Sequence, residues 1–416
     1  MTTVLRIAIL AGLASIALAA QGGVAGEWMV TLHEQFGPSV QRLVLAVSGE
    51  TLSGTLGRRK VEGTVKDGSI EFKLDNASVK GMLAGDELKG EAVFSDRTVK
   101  WTAVRIAPRP AVSRTHDFAP TEFQRYFSSA IKPVLRINPG DSVRTWAVDA
   151  GGRDKEGKPR SGGGNPQTGP FYVEGVVPND TLVVRLTKVR TNRNWAGSGS
   201  TIMRTALEPG TLGNLKWATE FPGRWTIDAA TNVAFLEKPT DLLKGFEVPL
   251  QPMVGCVAVA PAGESSIRTT DSGRFGGNMD YNQIREGTTI YLPVSHPGAL
   301  LFVGDGHAAQ GDGEVTGTAI ETSLSTTLQI TLRKKKPLRY ARIETPTHMI
   351  TIGLDEDLDE AARIATREMI DYLVTEKGLT RDDAYVLCSA AVDLRVSQNV
   401  DVTKGVHAML AKALFR

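Results

Sequence analysis

At 416 residues the chain is too long for one ordinary core, and about 150 residues per domain points to two or three domains. A formal net charge of +2 excludes the basic footprint of a nucleic-acid binder, and 41% hydrophobic with 23% charged residues is ordinary for a globular chain. Forty-three glycines and few aromatics favour tight turns and short strands over long helices.

In chain order, Arg6 precedes an apolar run from Ile7 to Ala20, shorter than the about 20 residues a bilayer span requires. Ala17-Leu18-Ala19 has the small-x-small pattern of a signal-peptidase site. Residues 1–20 are therefore read as a removed signal peptide, and the protein as exported, either periplasmic or secreted. No Cys follows the run to carry a lipid. No later segment is long and apolar enough to cross a membrane, so no span is expected after signal removal.

Residues 26–106 read as short alternating strands such as Trp28–Leu32, Leu43–Val47 and Ser69–Leu74. Phrases of hydrophobe, polar residue and glycine recur at Leu52-Ser53-Gly54, Val61-Glu62-Gly63, Val79-Lys80-Gly81 and Leu88-Lys89-Gly90. Such repetition predicts a β-meander closing into a small barrel or curled sheet. No cluster of His or carboxylates marks it for chemistry, which points to a structural or adhesive role. The Pro-rich Ala107-Pro108-Arg109-Pro110 opens a linker over 107–114.

From 115 onward the texture is again β, with strands expected at Val143–Val148, Thr181–Leu186, Thr288–Val294 and Thr326–Leu332, and long loops over 187–247. Arg333-Lys334-Lys335-Lys336 reads as a solvated strand end. After Asp355, apolar residues at helical spacing from Leu358 to Val374 predict a helix stopped by Lys377-Gly378. Thr380 with Asp383 starts a second, and Val406–Phe415 is expected as a third. The expected fold is mainly β: a small N-terminal β-barrel or meander, then a β-sandwich-like domain over 115–416 with a C-terminal helical block. Cys256 and Cys388 lie in dissimilar segments at a spacing that predicts no bridge.

Four segments carry possible chemistry. Gly304-Asp305-Gly306-His307-Ala308-Ala309-Gln310-Gly311-Asp312-Gly313-Glu314 crowds ligand-type side chains between small residues just beyond an apolar strand. It is either a metal or catalytic site or a hairpin. Asp305 and His307, at i and i+2, point the same way if the backbone is extended. Asp149 stands at a strand end before a Gly-rich stretch, as a ligand or as the start of an Asx turn. Asn165-Pro166-Gln167-Thr168-Gly169-Pro170 leads into a strand carrying Glu174, a pocket loop or an outward strand Glu. Gly276-Gly277-Asn278-Met279-Asp280 is a ligand pair or a turn. His116 and His296 are lone histidines, read as structural, and no GxSxG elbow or P-loop is present.

These runs, in this order, resemble the acetamidase/formamidase family across roughly 115–410. Asn138-Pro139-Gly140-Asp141, Pro249-Leu250-Gln251-Pro252-Met253-Val254-Gly255, Tyr291-Leu292-Pro293-Val294, Pro297-Gly298-Ala299-Leu300 and Gly317-Thr318-Ala319-Ile320-Glu321 complete the set. The resemblance implies a mostly-β homo-oligomer that hydrolyses formamide or acetamide to acid and ammonia. It favours Asp149, Asn278, Asp280, Asp305, His307 and Glu314 as site residues. The export signal and the added N-terminal β domain depart from the family, so the natural substrate need not be the family's.

Amide hydrolysis needs an activated carbonyl and a protonated leaving amine. A divalent metal, zinc above all, is therefore expected on Asp149, Asp305 and His307, with Asn278 and Asp280 as further ligands and calcium as a candidate second, structural ion. Glu314 is the expected general base, acting beside Asp305 and His307. Asn165, Thr168, Glu174 and Gln310 are expected to bind the small amide. The rival readings are a non-catalytic exported binding protein on the same scaffold, or hydrolysis of another C–N bond such as a carbamate or lactam.

Overall fold

A computed structural model describes residues 23–35, 37–199, 203–208, 211 and 223–415, so the expected signal segment lies outside the described residues. The chain divides into two compact units, one ending at Arg105 and the other running from Ile106.

The first unit is a closed barrel of eight sequential antiparallel strands, from Gly26–Glu34 to Thr98–Arg105. Closure comes from pairing of the first strand with the last, Trp28 opposite Arg105. The alternation seen in the sequence becomes inside and outside. In Ser69–Leu74, Ile70, Phe72 and Leu74 are buried while Ser69, Glu71 and Lys73 face water.

The second unit holds two large sheets. A six-stranded sheet has the order Leu135–Ile137, Gln167–Val173, Leu301–His307, Met253–Ala258, Gly276–Asn278, Ser272–Gly273. A nine-stranded sheet contains the long neighbouring strands Thr181–Thr191 and Leu324–Arg333 and ends at one edge in His348–Asp355, Lys404–Ala411 and Val392–Gln398. Phe171, Phe302 and Val257 of the smaller sheet share one core with Leu182, Ile330 and Ile350 of the larger. The basic Arg333–Lys336 run is the exposed exit of a strand, as expected.

The helices Leu358–Lys377 and Arg381–Ala391 form where the periodicity places them. Asp357 and Thr380 cap their N-termini, and Gly378, at φ 72°, ends the first. Ala361, Ala365, Met369 and Leu373 pack on Val406, Ala408 and Leu410 of the larger sheet. Gly353 admits this approach, since a Cβ there would stand 1.8 Å from the Ala361 carbonyl oxygen.

Two expectations are corrected. Val406–Phe415 is not a third helix. Lys404–Ala411 is a strand paired on both sides, followed by a short 3-10 turn. Burial on both faces erases the alternation that separates a strand from an apolar helical run. Within 187–247, where long loops are expected, the described residues Trp195–Gly197, Arg224–Asp228 and Val233–Leu236 join Val248–Pro249 in a four-stranded sheet. Both cysteines are buried and free.

Candidate active site

The strand Leu301–His307 is buried at every residue, and its end carries Asp305 and His307. Asp305 has φ 63°, so the backbone kinks where an extended strand was expected, yet the two side chains still meet. His307 Nε2 lies 3.4 Å from Asp305 Oδ1 and 3.3 Å from Glu321 Oε1. Glu321 arrives because the chain, after looping out through Glu314, returns to bridge His307 and Gly197. Asp280 and Glu314 complete the cluster. Asp280, His307 and Glu314 form one group with ligand atoms within 4.8 Å of one another, and Asp305, His307 and Glu321 form a second. His307 belongs to both.

The backbone makes room for this density. A Cβ on Gly255 would stand 2.4 Å from Asp305 Oδ2 and 2.6 Å from Asp280 Oδ1, so only glycine leaves space for both carboxylates. Gln310 fixes the histidine. Its Nε2 donates to the Asp280 carbonyl at 2.6 Å, which turns Oε1 toward His307 Nδ1 at 2.9 Å. A carbonyl oxygen can only accept, so Nδ1 carries hydrogen and Nε2 is the atom presented to Asp305 and Glu321. Asn165 Nδ2 donates to Asn278 Oδ1 at 2.8 Å and to Asp305 Oδ2 at 3.2 Å. Cys256 Sγ also donates to Asn278 Oδ1, and Asn278 Nδ2 donates to Asp401 Oδ2 at 2.8 Å.

So many acidic groups in one buried place oppose each other's ionisation. Burial, then the charges of Glu314 and Asp305, push the Asp280 carboxyl well above its usual range. Burial likewise raises Glu314, Glu321 and, to about 6, Asp401. For His307 burial disfavours the charge, but Glu321 and Asp305 outweigh it and hold the imidazole well above its ordinary pKa. Among the described residues, Asp280 Oδ1 and Glu321 Oε2 are buried without a hydrogen-bond partner, and Asp305 Oδ1 has only the His307 ring at 3.4 Å. Carboxylate oxygens left unpaired in the interior are costly unless a cation meets them. Orphaned oxygens around one imidazole are a donor set that fits a divalent ion. On one side the cluster reaches a cavity of about 430 Å³, lined by Gln310 and Glu314 together with Ser198, Trp225, Val315 and Ile320.

Of the residues expected from the sequence, Asp280, Asp305, His307 and Glu314 come together, with Asn165, Asn278 and Gln310 bonded around them. Asn278 has its amide committed to Asn165, Cys256 and Asp401, which is a bridging role in place of the expected ligation. Three others do not join. Asp149 pairs with the buried Arg193 at 2.7 Å and accepts from the Arg153 N–H, so its carboxylate holds the following loop and an ion pair. Arg193 in turn reaches the Glu321 carbonyl, which leaves Asp149 behind the cluster and outside it. Thr168 is fully buried, its hydroxyl donating to the Trp146 carbonyl. Glu174 faces solvent in an ion pair with Arg136. His116 pairs with Asp141, and His296 with the Pro261 carbonyl, as structural groups. Glu321, Asp401 and Cys256 were not singled out for the site. Their positions depend on strand pairing, which leaves no local pattern.

The model of the acetamidase/formamidase family matches residues 230–416. A crystal structure of acetamidase from Yersinia enterocolitica is similar to the chain at 31% identity and a TM-score of 0.63, covering 75% of this chain and 95% of that one. Formamidase from Methylophilus methylotrophus is 31% identical over 35% of this chain and 41% of its own length. A Schizosaccharomyces pombe protein named as a candidate formamidase is 25% identical over 40% of this chain and 51% of its own. The chain thus spans about half the length, or less, of the curated relatives it matches.

Proposed function

Because the chain belongs to the acetamidase/formamidase family, we propose that it hydrolyses the C–N bond of small linear amides, giving a carboxylic acid and ammonia. The observation that carries this reading is the buried cluster of Asp280, Asp305, His307, Glu314 and Glu321, with unpaired carboxylate oxygens beside a cavity. Asp305, His307 and Glu321, or Asp280, His307 and Glu314, would hold a divalent ion, with zinc the best match to mixed imidazole and carboxylate donors. Such an ion, when bound, supplies Lewis acidity toward an amide carbonyl and lowers the pKa of water toward about 7.

The chain's own residues supply the rest. Gln310 holds His307 in the tautomer that presents Nε2 to the cluster. Glu314, at the cavity wall, is the group that moves protons. Its carboxylate takes one proton from the attacking water and delivers it to the departing nitrogen as the C–N bond breaks. Arg193, held by Asp149, anchors the Glu321 backbone from behind. We further propose export, on the apolar run after Arg6, and a homo-oligomeric assembly. Sequencing the N-terminus of the mature protein and sedimentation of the purified chain test these two.

The activity is tested by measuring ammonia released from formamide, acetamide and propionamide. Release is expected, and extensive dialysis against EDTA should abolish it until zinc is restored. No ammonia from any amide with metal supplied overturns the hydrolase reading. Full activity after chelation overturns only the ion's part in it.

A further inference from the structure

The barrel has two ends, and they are built differently. At one, Trp28 is fully buried, donates its indole N–H to the Val24 carbonyl at 2.9 Å and is covered by the Arg105 guanidinium at 4.1 Å from the ring centroid. That end is plugged. Toward the other lies a cavity of about 170 Å³, walled by Leu32, Leu43, Phe72, Val79, Ala92 and Trp101.

Trp101 lines this cavity and, among its lining residues, is the one with a buried side-chain polar atom lacking a hydrogen-bond partner. It stands opposite Gly90, which stands opposite Gly81 on the next strand. A Cβ on Gly81 would come within 2.5 Å of the Trp101 ring. The missing side chain therefore leaves room for the indole to lie against the Gly81 backbone. Trp101 is 3% exposed, and its N–H has no acceptor among the described residues. A buried indole N–H without an acceptor loses a hydrogen bond it would make in water.

Glu34, Gln41, Arg59 and Arg97 are the charged and amide side chains of the lining. Both guanidiniums are already matched, Arg59 by Asp75 at 3.2 Å and Arg97 by Asp96 at 3.1 Å. The lining therefore offers no surplus positive charge to hold an anion. A cavity of about 150 Å³ lined by aliphatic and aromatic side chains is enough for benzene.

We infer that the N-terminal barrel is a binding site for a small uncharged apolar molecule carrying one hydrogen-bond acceptor, an aromatic ketone being the simplest example, with the acceptor on the Trp101 indole N–H. The site is independent of the amide chemistry proposed for the second unit.

The test uses the full chain labelled with ¹⁵N-tryptophan, the Trp101 indole resonance being the one lost in Trp101→Phe. Acetophenone, ethylbenzene and benzoate are the probes. Acetophenone should move the Trp101 resonance saturably and leave that of Trp28 in place. Ethylbenzene, which lacks the acceptor, should bind about fivefold more weakly, as one net hydrogen bond implies. In Trp101→Phe the difference between the two should vanish. If that variant loses the Trp28 resonance and with it the barrel, the comparison of ketone and hydrocarbon on the native chain decides alone. No saturable shift with acetophenone, equal affinity for the two neutral probes, or preference for benzoate each overturns the proposal.

Discussion

The barrel strand Ser69–Leu74 and the strand Leu301–His307 are nearly the same length and obey opposite rules. The first buries every second residue and spends its other face on water. The second buries all seven, two of them ionisable. In Ser69–Leu74 each position has one task, so changes at single residues stay local and modest. In the second unit, packing and polar chemistry share the same atoms, and a change of one methyl or one oxygen reaches the proposed reaction.

That contrast can be broken by experiment, starting where the effect is largest. Glu314→Gln keeps the shape and removes the proton carrier. It should lower kcat for acetamide by about 10³-fold, within the range general acid–base catalysis supplies, while circular dichroism is unchanged. A loss under tenfold would remove Glu314 from the proton transfer. Gly255→Ala should cost about 10²-fold in kcat/KM, because the added carbon forces the Asp305 and Asp280 carboxylates to move by of order 1 Å. Normal activity in this variant would show that the two carboxylates need not share that space.

Stability against pH probes the same unit at a buried histidine beside Tyr281, next in sequence to Asp280. Burial, helped by the Arg395 charge, lowers the His407 pKa to about 3, and its ring lies tilted against Tyr281. The folded value lies below the unfolded one of about 6.5, so the unfolded chain binds the proton first. The contribution is complete above pH 6.5 and is lost as pH falls toward 3. At pH 5 this amounts to about 2 kcal/mol relative to pH 7. Urea unfolding of His407→Phe should show that dependence flattened; an unchanged slope would refute it. The smallest effect belongs to the barrel, where Ile70→Val at a fully buried site should cost about 1 kcal/mol without altering ammonia release. A large loss of activity there would mean that the two regions are not separable.

The same contrast explains what could be read from the sequence. The barrel was legible because its alternation is a local signal carried along eight strands, although Gly54, Gly63, Gly81 and Gly90 of the recurring phrases lie inside strands and not at turns. Asp305, His307, Gln310 and Glu314 were legible because they crowd one short segment. Asp149 looked like a ligand because a carboxylate at a strand end is well placed for one. Its actual partner, Arg193, lies beyond an intervening pair of strands, and nothing near Asp149 announces it. Glu321 and Asp401 reach the site through a chain reversal and a distant hairpin, which residue type alone does not encode. The strand over Lys404–Ala411 reads as helical because burial on both faces hides its alternation, and one of its two partners, His348–Asp355, comes from a distant part of the chain.

The route by which His307 acquires its neighbours has a consequence for assembly. Asp305 shares the His307 strand, Glu314 and Glu321 come from the single excursion that leaves and rejoins it, and only Asp280 arrives from another part of the chain. Gathering them closes one short loop, whose entropy is small and grows only slowly with length. An ion seated there would tie few distant parts of the chain together. Chelation is therefore expected to silence the site while leaving the mutual arrangement of the two large sheets to their shared apolar core.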